Sequence, residues 1–172
     1  MSNSKPGSEP TTRTTFDPEQ FLIVPPRTFE NLKVGDVFRA PSRTLTDAHT
    51  SAFQAVSADN HPRHYNVEYA KSHGLQAPLV HPLQVLAFSA PGATLFTHYV
   101  GESLLSLSSA SATFVRDSFV GDTLYTALEI VELSTEGDKG LVTMAITIFN
   151  QRSELVLSGQ QTFVLKLSPA GT

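Results

Sequence analysis

The chain has 172 residues, 40% of them apolar and 16% charged, which is enough for one domain with a real core. Its net charge of −4 and pI near 5.8 argue against a general nucleic-acid binder, although a local basic pocket for a phosphorylated group stays open. The absence of cysteine excludes disulfides, thiolate catalysis and cysteine-ligated metals, and fits a cytoplasmic protein. Residues 1–15 are polar, with no apolar core of a signal peptide, and no apolar run approaches a membrane span. Residues 1–26 are therefore expected to be a disordered or arm-like tail, with Phe21, Leu22, Ile23 and Val24 as the arm. Residues 27–168 then form the domain, and 169–172 a short C-terminal tail.

Residues 29–36 read as the entry to the domain, and Gly35-Asp36 turns the chain into a strand over 37–45. Thr46 suits an N-cap, and Ala48, Ala52, Phe53 and Val56 recur at helical spacing, predicting an amphipathic helix over 47–58. Asn66 caps a second, short helix over 67–72, with Gly74 at its C′ position. Pro82 suits the first position of a further helix. Leu83, Leu86, Ala87 and Ala90, then Leu95 and Phe96, make that helix apolar on most sides and predict burial; Pro91-Gly92 should kink or end it.

From Ser103 onward the period changes to two. A strand over 103–119 would turn Leu105, Leu107, Ala110, Ala112 and Phe114 inward. Strands over 123–133, 141–149 and 154–167 follow, joined by a loop over 135–140 and a turn over 150–153. The layout is α+β: a long antiparallel sheet wrapped around a buried central helix. Such strands leave edges and a face uncovered, so pairing with another copy is expected, as a homodimer or higher homo-oligomer.

The stretch Ser57-Ala58-Asp59-Asn60-His61-Pro62-Arg63-His64 carries the chemistry. Asp59 and His64 are too far apart for one helix face and wrongly spaced for one strand face. Pro62 disfavours the helical region at His61, so the chain must leave its helix near Asp59 and swing round before His64. Such a turn can aim a carboxylate and an imidazole at one point, which suits proton transfer to a small substrate. The competing reading is a capping aspartate and a surface histidine.

The order of these pieces resembles the MaoC-like dehydratases of the hot-dog fold, the family that contains (R)-specific enoyl-CoA hydratases. Asp59-Asn60-His61-Pro62-Arg63-His64 is similar to a D-x-N-P-x-H motif, and Leu79-Val80-His81-Pro82-Leu83 to the I-V-H-G-M/L start of the central helix. The stretch from Phe114 to Leu124 resembles an F-x-x-P-V-x-x-G-D-T-L strand turn, and Phe149-Asn150-Gln151-Arg152-Ser153-Glu154 an N-Q-x-G-E hairpin. The resemblance implies reversible hydration of a trans-2-enoyl thioester to an (R)-3-hydroxyacyl thioester, carried on coenzyme A or on acyl carrier protein. It makes Asp59 the base that activates water and His64 the donor of the α-carbon proton. Amides at the start of the central helix would hold the thioester oxygen, with His81, Pro82, Leu83 and His61 lining the substrate site. It implies no metal and no cofactor beyond the coenzyme A of the substrate; the acidic charge balance and the lack of a membrane-length apolar run already point away from a nucleic-acid or membrane partner.

The chain departs from the family pattern at Pro82, which stands where glycine is usual and has no N–H to give, so that Leu83 or a neighbouring amide would have to serve. His61 stands where asparagine is usual, and Ala87 where a serine is often found, with Ser89 two places on. These changes keep open a non-catalytic acyl-thioester binder or accessory subunit, and behind it a hot-dog thioesterase. His49, His73 and His98 read as surface or helix-end residues.

Overall fold

The computed structural model describes residues 17–168. Residues 1–16 of the tail expected over 1–26 fall outside them, as do residues 169–172; in the rest of it Pro18–Phe21 form a 3₁₀ turn. The sheet is antiparallel and six-stranded: β1 (Val37–Arg39), β2 (Arg43–Thr44), β3 (Leu104–Phe114), β4 (Thr123–Glu136), β5 (Lys139–Phe149) and β6 (Leu155–Lys166). Its order is β1-β4-β5-β6-β3, with β2 paired to β4 alongside β1. The single strand expected over 37–45 is thus two short ones. Pro41 lies in the gap and cannot donate to the ladder.

β5 alternates as predicted: Val142, Met144, Ile146 and Ile148 are buried, facing Leu128 and Ile130 of β4 and Leu157 and Phe163 of β6 within one core. A register shift between Ile130 and Glu132 bends β4 in the manner of a β-bulge, helping the sheet to curl. Into the curl pack α3 (Pro82–Ala87) and α4 (Phe96–Val100), through Val85, Phe96 and Val100. Phe96 is fully buried between Phe38 and Phe163, with ring centroids at 5.3 and 5.4 Å. A sheet wrapped around a helical segment is the α+β hot-dog layout that the sequence implied. The central helix, however, is broken. It ends at Ala87, a 3₁₀ turn spans Pro91–Ala93, and α4 begins afresh at Phe96. Pro91 cannot continue a helix, so the expected interruption is complete.

α1 (Asp47–Ser57) forms where predicted; it buries none of its residues, and Val56 is 86% exposed. Two other expectations are corrected. The predicted inner face of β3 is open, with Leu105, Leu107 and Phe114 all exposed. β3 is a terminal strand of the sheet, and of that predicted face Ala112 packs, partly buried, against the core. Leu83, expected to be buried, is 53% exposed. α2 (Val67–Ser72) is as predicted: Asn66 Oδ1 accepts from Tyr69 N–H at 2.9 Å, and Gly74 turns out with φ +75°. The β4–β5 connection is tighter than expected, since pairing runs to Glu136 opposite Lys139.

The turn after β5 is tied to the start of β4 through Asp122. Its Oδ2 accepts from Phe119 N–H, and its Oδ1 from Gln151 Nε2 at 2.7 Å and Arg152 Nη1 at 3.2 Å. Burial works to raise the Asp122 pKa, but these donors outweigh it and hold it below the usual aspartate value. The sign follows: Asp122 adds stability above the ordinary carboxylate range, and that stability is lost as the pH falls through its depressed pKa. Asp122→Ala should lower stability by about 1–3 kcal/mol, the cost of donors left unpaired in a largely buried place, and should flatten the acid limb of stability against pH. Urea melts across an acidic pH series measure both.

Candidate active site

Asp59, His64 and His81 come from three separate pieces of chain. α1 ends at Ser57, and the chain leaves it through Ala58, a left-handed residue with φ +55°. That exit swings Asp59 off the helix axis. A 3₁₀ turn, Pro62–His64, then brings the imidazole back. Leu79 fixes it there: its N–H donates to the Arg63 carbonyl at 2.9 Å, and its own carbonyl lies 2.8 Å from His64 Nδ1. Val80 N–H donates to the Ser118 carbonyl, which sets His81 at the head of α3.

The partners define both ring tautomers. A carbonyl can only accept, so His64 Nδ1 carries the hydrogen donated to Leu79, and the Nε2 of the neutral ring keeps a lone pair. An amide can only donate, so His81 Nδ1 is the acceptor for Leu83 N–H at 3.0 Å. His81 Nε2 therefore carries the hydrogen and donates to Asp59 Oδ2 at 3.0 Å. Asp59 Oδ1 accepts from His61 N–H at 2.9 Å. The His61 amide does most to hold the Asp59 pKa below its usual value; burial opposes it next, and the His81 hydrogen bond and the two imidazoles add to the lowering. Asp59 is thus a carboxylate at neutral pH.

A polar atom from each of Asp59, His64 and His81 lies within 4.8 Å of the others. They line a cavity of about 10 Å³, roughly the space of one water. The same trio has the residue types of a metal site. Yet both nitrogens of His81 are already engaged, one by Leu83 and one by Asp59, which leaves too few free donors to hold an ion well.

Phe53 and Gln84 line this small cavity and also a larger one beside it, of about 590 Å³. The larger cavity runs between α1, α3 and the β1–β2 connection, and its walls are mainly apolar, including Ala52, Val56, Ala87 and Phe88. The uncovered stripe of α1 is therefore the wall of a groove.

The remaining site candidates fall differently. Leu83 N–H is occupied by His81, and Pro82 lines a separate cleft against Phe114 and Arg116. His61 is exposed; its amide serves Asp59, while its ring Nδ1 accepts from Arg63 N–H at 3.3 Å. Ser89 is buried and faces the sheet, donating to the Leu86 carbonyl and accepting from Gln161 Nε2. His49 lines the large groove. Gln84 was missed as a site residue. It is 3% exposed, and neither end of its carboxamide has a hydrogen-bond partner, an omission that costs about 1–3 kcal/mol in a folded chain. Its signal was an amide in an otherwise apolar helix.

The family model described as a MaoC-like domain matches residues 29–150. The (R)-specific enoyl-CoA hydratase of Aeromonas caviae is 29% identical over 135 residues, covering 76% of this chain and 93% of the relative. The mitochondrial 3-hydroxyacyl-[acyl-carrier-protein] dehydratase of Arabidopsis thaliana is 28% identical over 142 residues, 78% of each chain. Among solved structures, a protein described as a monoamine oxidase regulatory protein from Archaeoglobus fulgius superposes with a TM-score of 0.79 at 27% identity, over 87% of this chain and 100% of that one.

Replacing His81 by alanine removes a donor that favours the charged carboxylate, so the Asp59 pKa should move up toward its ordinary value. A carbon-13 titration of the aspartate carboxyls reads the shift. Nitrogen-15 spectra of the neutral rings should show His64 protonated at Nδ1 and His81 at Nε2; the opposite tautomers would contradict the hydrogen-bond assignment.

Proposed function

The chain belongs to the MaoC-like dehydratase family, and on that premise we propose that it interconverts trans-2-enoyl and (R)-3-hydroxyacyl thioesters, with Asp59 and His64 as the proton-transfer pair. The observation that carries the reading is the convergence of Asp59, His64 and His81 on a cavity the size of one water, next to an apolar groove. The groove's volume, about 590 Å³, lies in the range of small-molecule sites and suits an acyl chain.

In hydration, the water oxygen bonds to Cβ as its proton passes to Asp59. The electron pair of the Cα–Cβ double bond moves into a Cα–carbonyl double bond, and the carbonyl pair moves onto oxygen. His64 then delivers a proton to Cα and the carbonyl re-forms. His64 Nδ1–H is committed to Leu79, so only Nε2 can deliver, and only when the ring is an imidazolium. Turnover closes when Asp59 loses its gained proton and His64 regains one. His81 keeps Asp59 aimed and ionised through its hydrogen bond to Oδ2.

Purified protein incubated with trans-2-enoyl-CoAs of graded length should consume the conjugated thioester without releasing free thiol. Asp59→Asn and His64→Ala should each lower kcat by at least about 100-fold. The rate should fall on the acid side only below the ordinary aspartate range, because the Asp59 pKa is depressed. Undiminished activity in both variants would remove the assignment, and thiol release would point to a thioesterase.

One observation favours the second reading, a non-catalytic binder of acyl thioesters. Pro82 has no N–H, His81 takes that of Leu83, and the Gln84 and Val85 amides both donate to the His81 carbonyl, so the helix start has no free amide for a thioester oxygen. Acyl-CoA binding without turnover across the same panel decides for it.

The open flank of β3 supports a homodimer. Leu105, Leu107, Phe114 and Val115 are exposed beside an unpaired strand edge. Leu105→Lys combined with Leu107→Lys should convert the protein to a monomer by light scattering; a parent protein that is already monomeric at micromolar concentration would contradict the pairing.

A further inference from the structure

We infer that the side-chain amide of Gln84 is the hydrogen-bond donor to the thioester oxygen, in place of a backbone amide at the helix start. The inference rests on the hydration reading and deepens it.

Negative charge builds on the carbonyl oxygen while water adds to Cβ, and a site that catalyses this step needs a donor waiting for it. Backbone geometry removes the usual source. Position 82 is proline, the Leu83 N–H is capped by His81 Nδ1 at 3.0 Å, and the Gln84 and Val85 amides close on the His81 carbonyl at 2.9 and 3.2 Å. The Leu83 amide cannot be released cheaply. Its hydrogen bond fixes the His81 tautomer, and that tautomer is what allows His81 to donate to Asp59.

Gln84 has what the backbone lacks. It lines the one-water cavity together with Asp59, His64 and His81, and it lines the apolar groove as well, so it stands where the two spaces meet. A thioester whose alkene lies over the water and whose acyl chain fills the groove passes this point. Its carbonyl carbon is bonded directly to Cα, within the same few ångströms. The carboxamide is buried and neither of its ends is bonded to a protein group, so its NH₂ end can turn to the oxygen without breaking a bond to the protein. Fold stability does not explain such a group. A leucine of similar size would fill the space without stranding a donor and an acceptor away from water.

The test uses Gln84→Leu and Gln84→Glu in the full chain. Gln84→Leu should fold at least as stably as the parent by thermal melt, because it removes an unpaired buried amide. With crotonyl-CoA it should lower kcat on the order of 100- to 1000-fold while changing KM far less. Gln84→Glu, an acceptor when ionised, should not restore the rate. An independent optical readout needs no turnover: 2,4-hexadienoyl-CoA bound to the Asp59→Asn protein should absorb to the red of the free compound, because a donor on the carbonyl polarises the conjugated system. The red shift should vanish in Asp59→Asn/Gln84→Leu, although binding of saturated acyl-CoA persists. A Gln84→Leu enzyme within about threefold of the parent kcat would overturn the inference, as would a red shift that survives the substitution. A rate loss confined to polar acyl groups would also overturn it, making Gln84 a reader of the chain instead. If the parent hydrates nothing, the hydration reading fails; the optical comparison still reports whether Gln84 meets the carbonyl.

Discussion

The site depends on one carboxylate held from two directions. Asp59 accepts a hydrogen bond on one oxygen from the His61 amide, two residues along, and on the other from the His81 imidazole, across the fold. The first is an Asx-type turn that any chain of this local sequence can form. The second exists only when the head of α3 is in place, and it depends in turn on the Leu83 amide, which selects the tautomer of His81. Carboxylate, imidazole and helix cap therefore form one unit. A shift in the first turn of α3 would move the Asp59 carboxylate, and loss of the carboxylate would free the cap.

That economy has a consequence for chemistry. A helix start is a ready source of N–H groups for an anion, and here the first turn is consumed in holding a side chain. In the proposed hydration, holding Asp59 and stabilising the thioester oxygen would compete for the same few donors, and Pro82 has already removed one. The Gln84 side chain, one step further along the helix, would relieve that competition, because it adds donors without borrowing from the backbone. Its carboxamide is not bonded to any protein group.

Periodicity made the sheet legible because each inward residue of β5 meets neighbours from the same chain. It misjudged β3 and Leu83 for a common reason: an apolar stripe records that a face avoids water, without recording what covers it. The stripe of α1 became the wall of a groove, and that of β3 stayed open at the edge of the sheet. Caps and turns at Asn66, Gly74 and the Asp59–His64 segment were legible because their causes are local. The link from His81 to Asp59 was not, since no spacing rule connects residues 22 positions apart. Gln84 left only the trace of a polar residue in an apolar helix, a pattern that a buried structural amide would share.

The two uncovered apolar surfaces differ in shape, and under the proposed function they would take different occupants. The groove beside Phe53 and Gln84 is concave and has polar groups only where it narrows toward Asp59, His64 and His81. Such a surface dehydrates a flexible chain while orienting one end of it. The β3 flank adds a row of unpaired backbone groups to its leucines, so an occupant must bring both apolar area and strand geometry, which a second copy of the same strand supplies. A ligand that filled the groove would leave that backbone row unsatisfied, and a strand seated in the groove would strand its own backbone groups among apolar walls. Each surface therefore excludes the occupant of the other, and a protein of this size can expose both without the two competing.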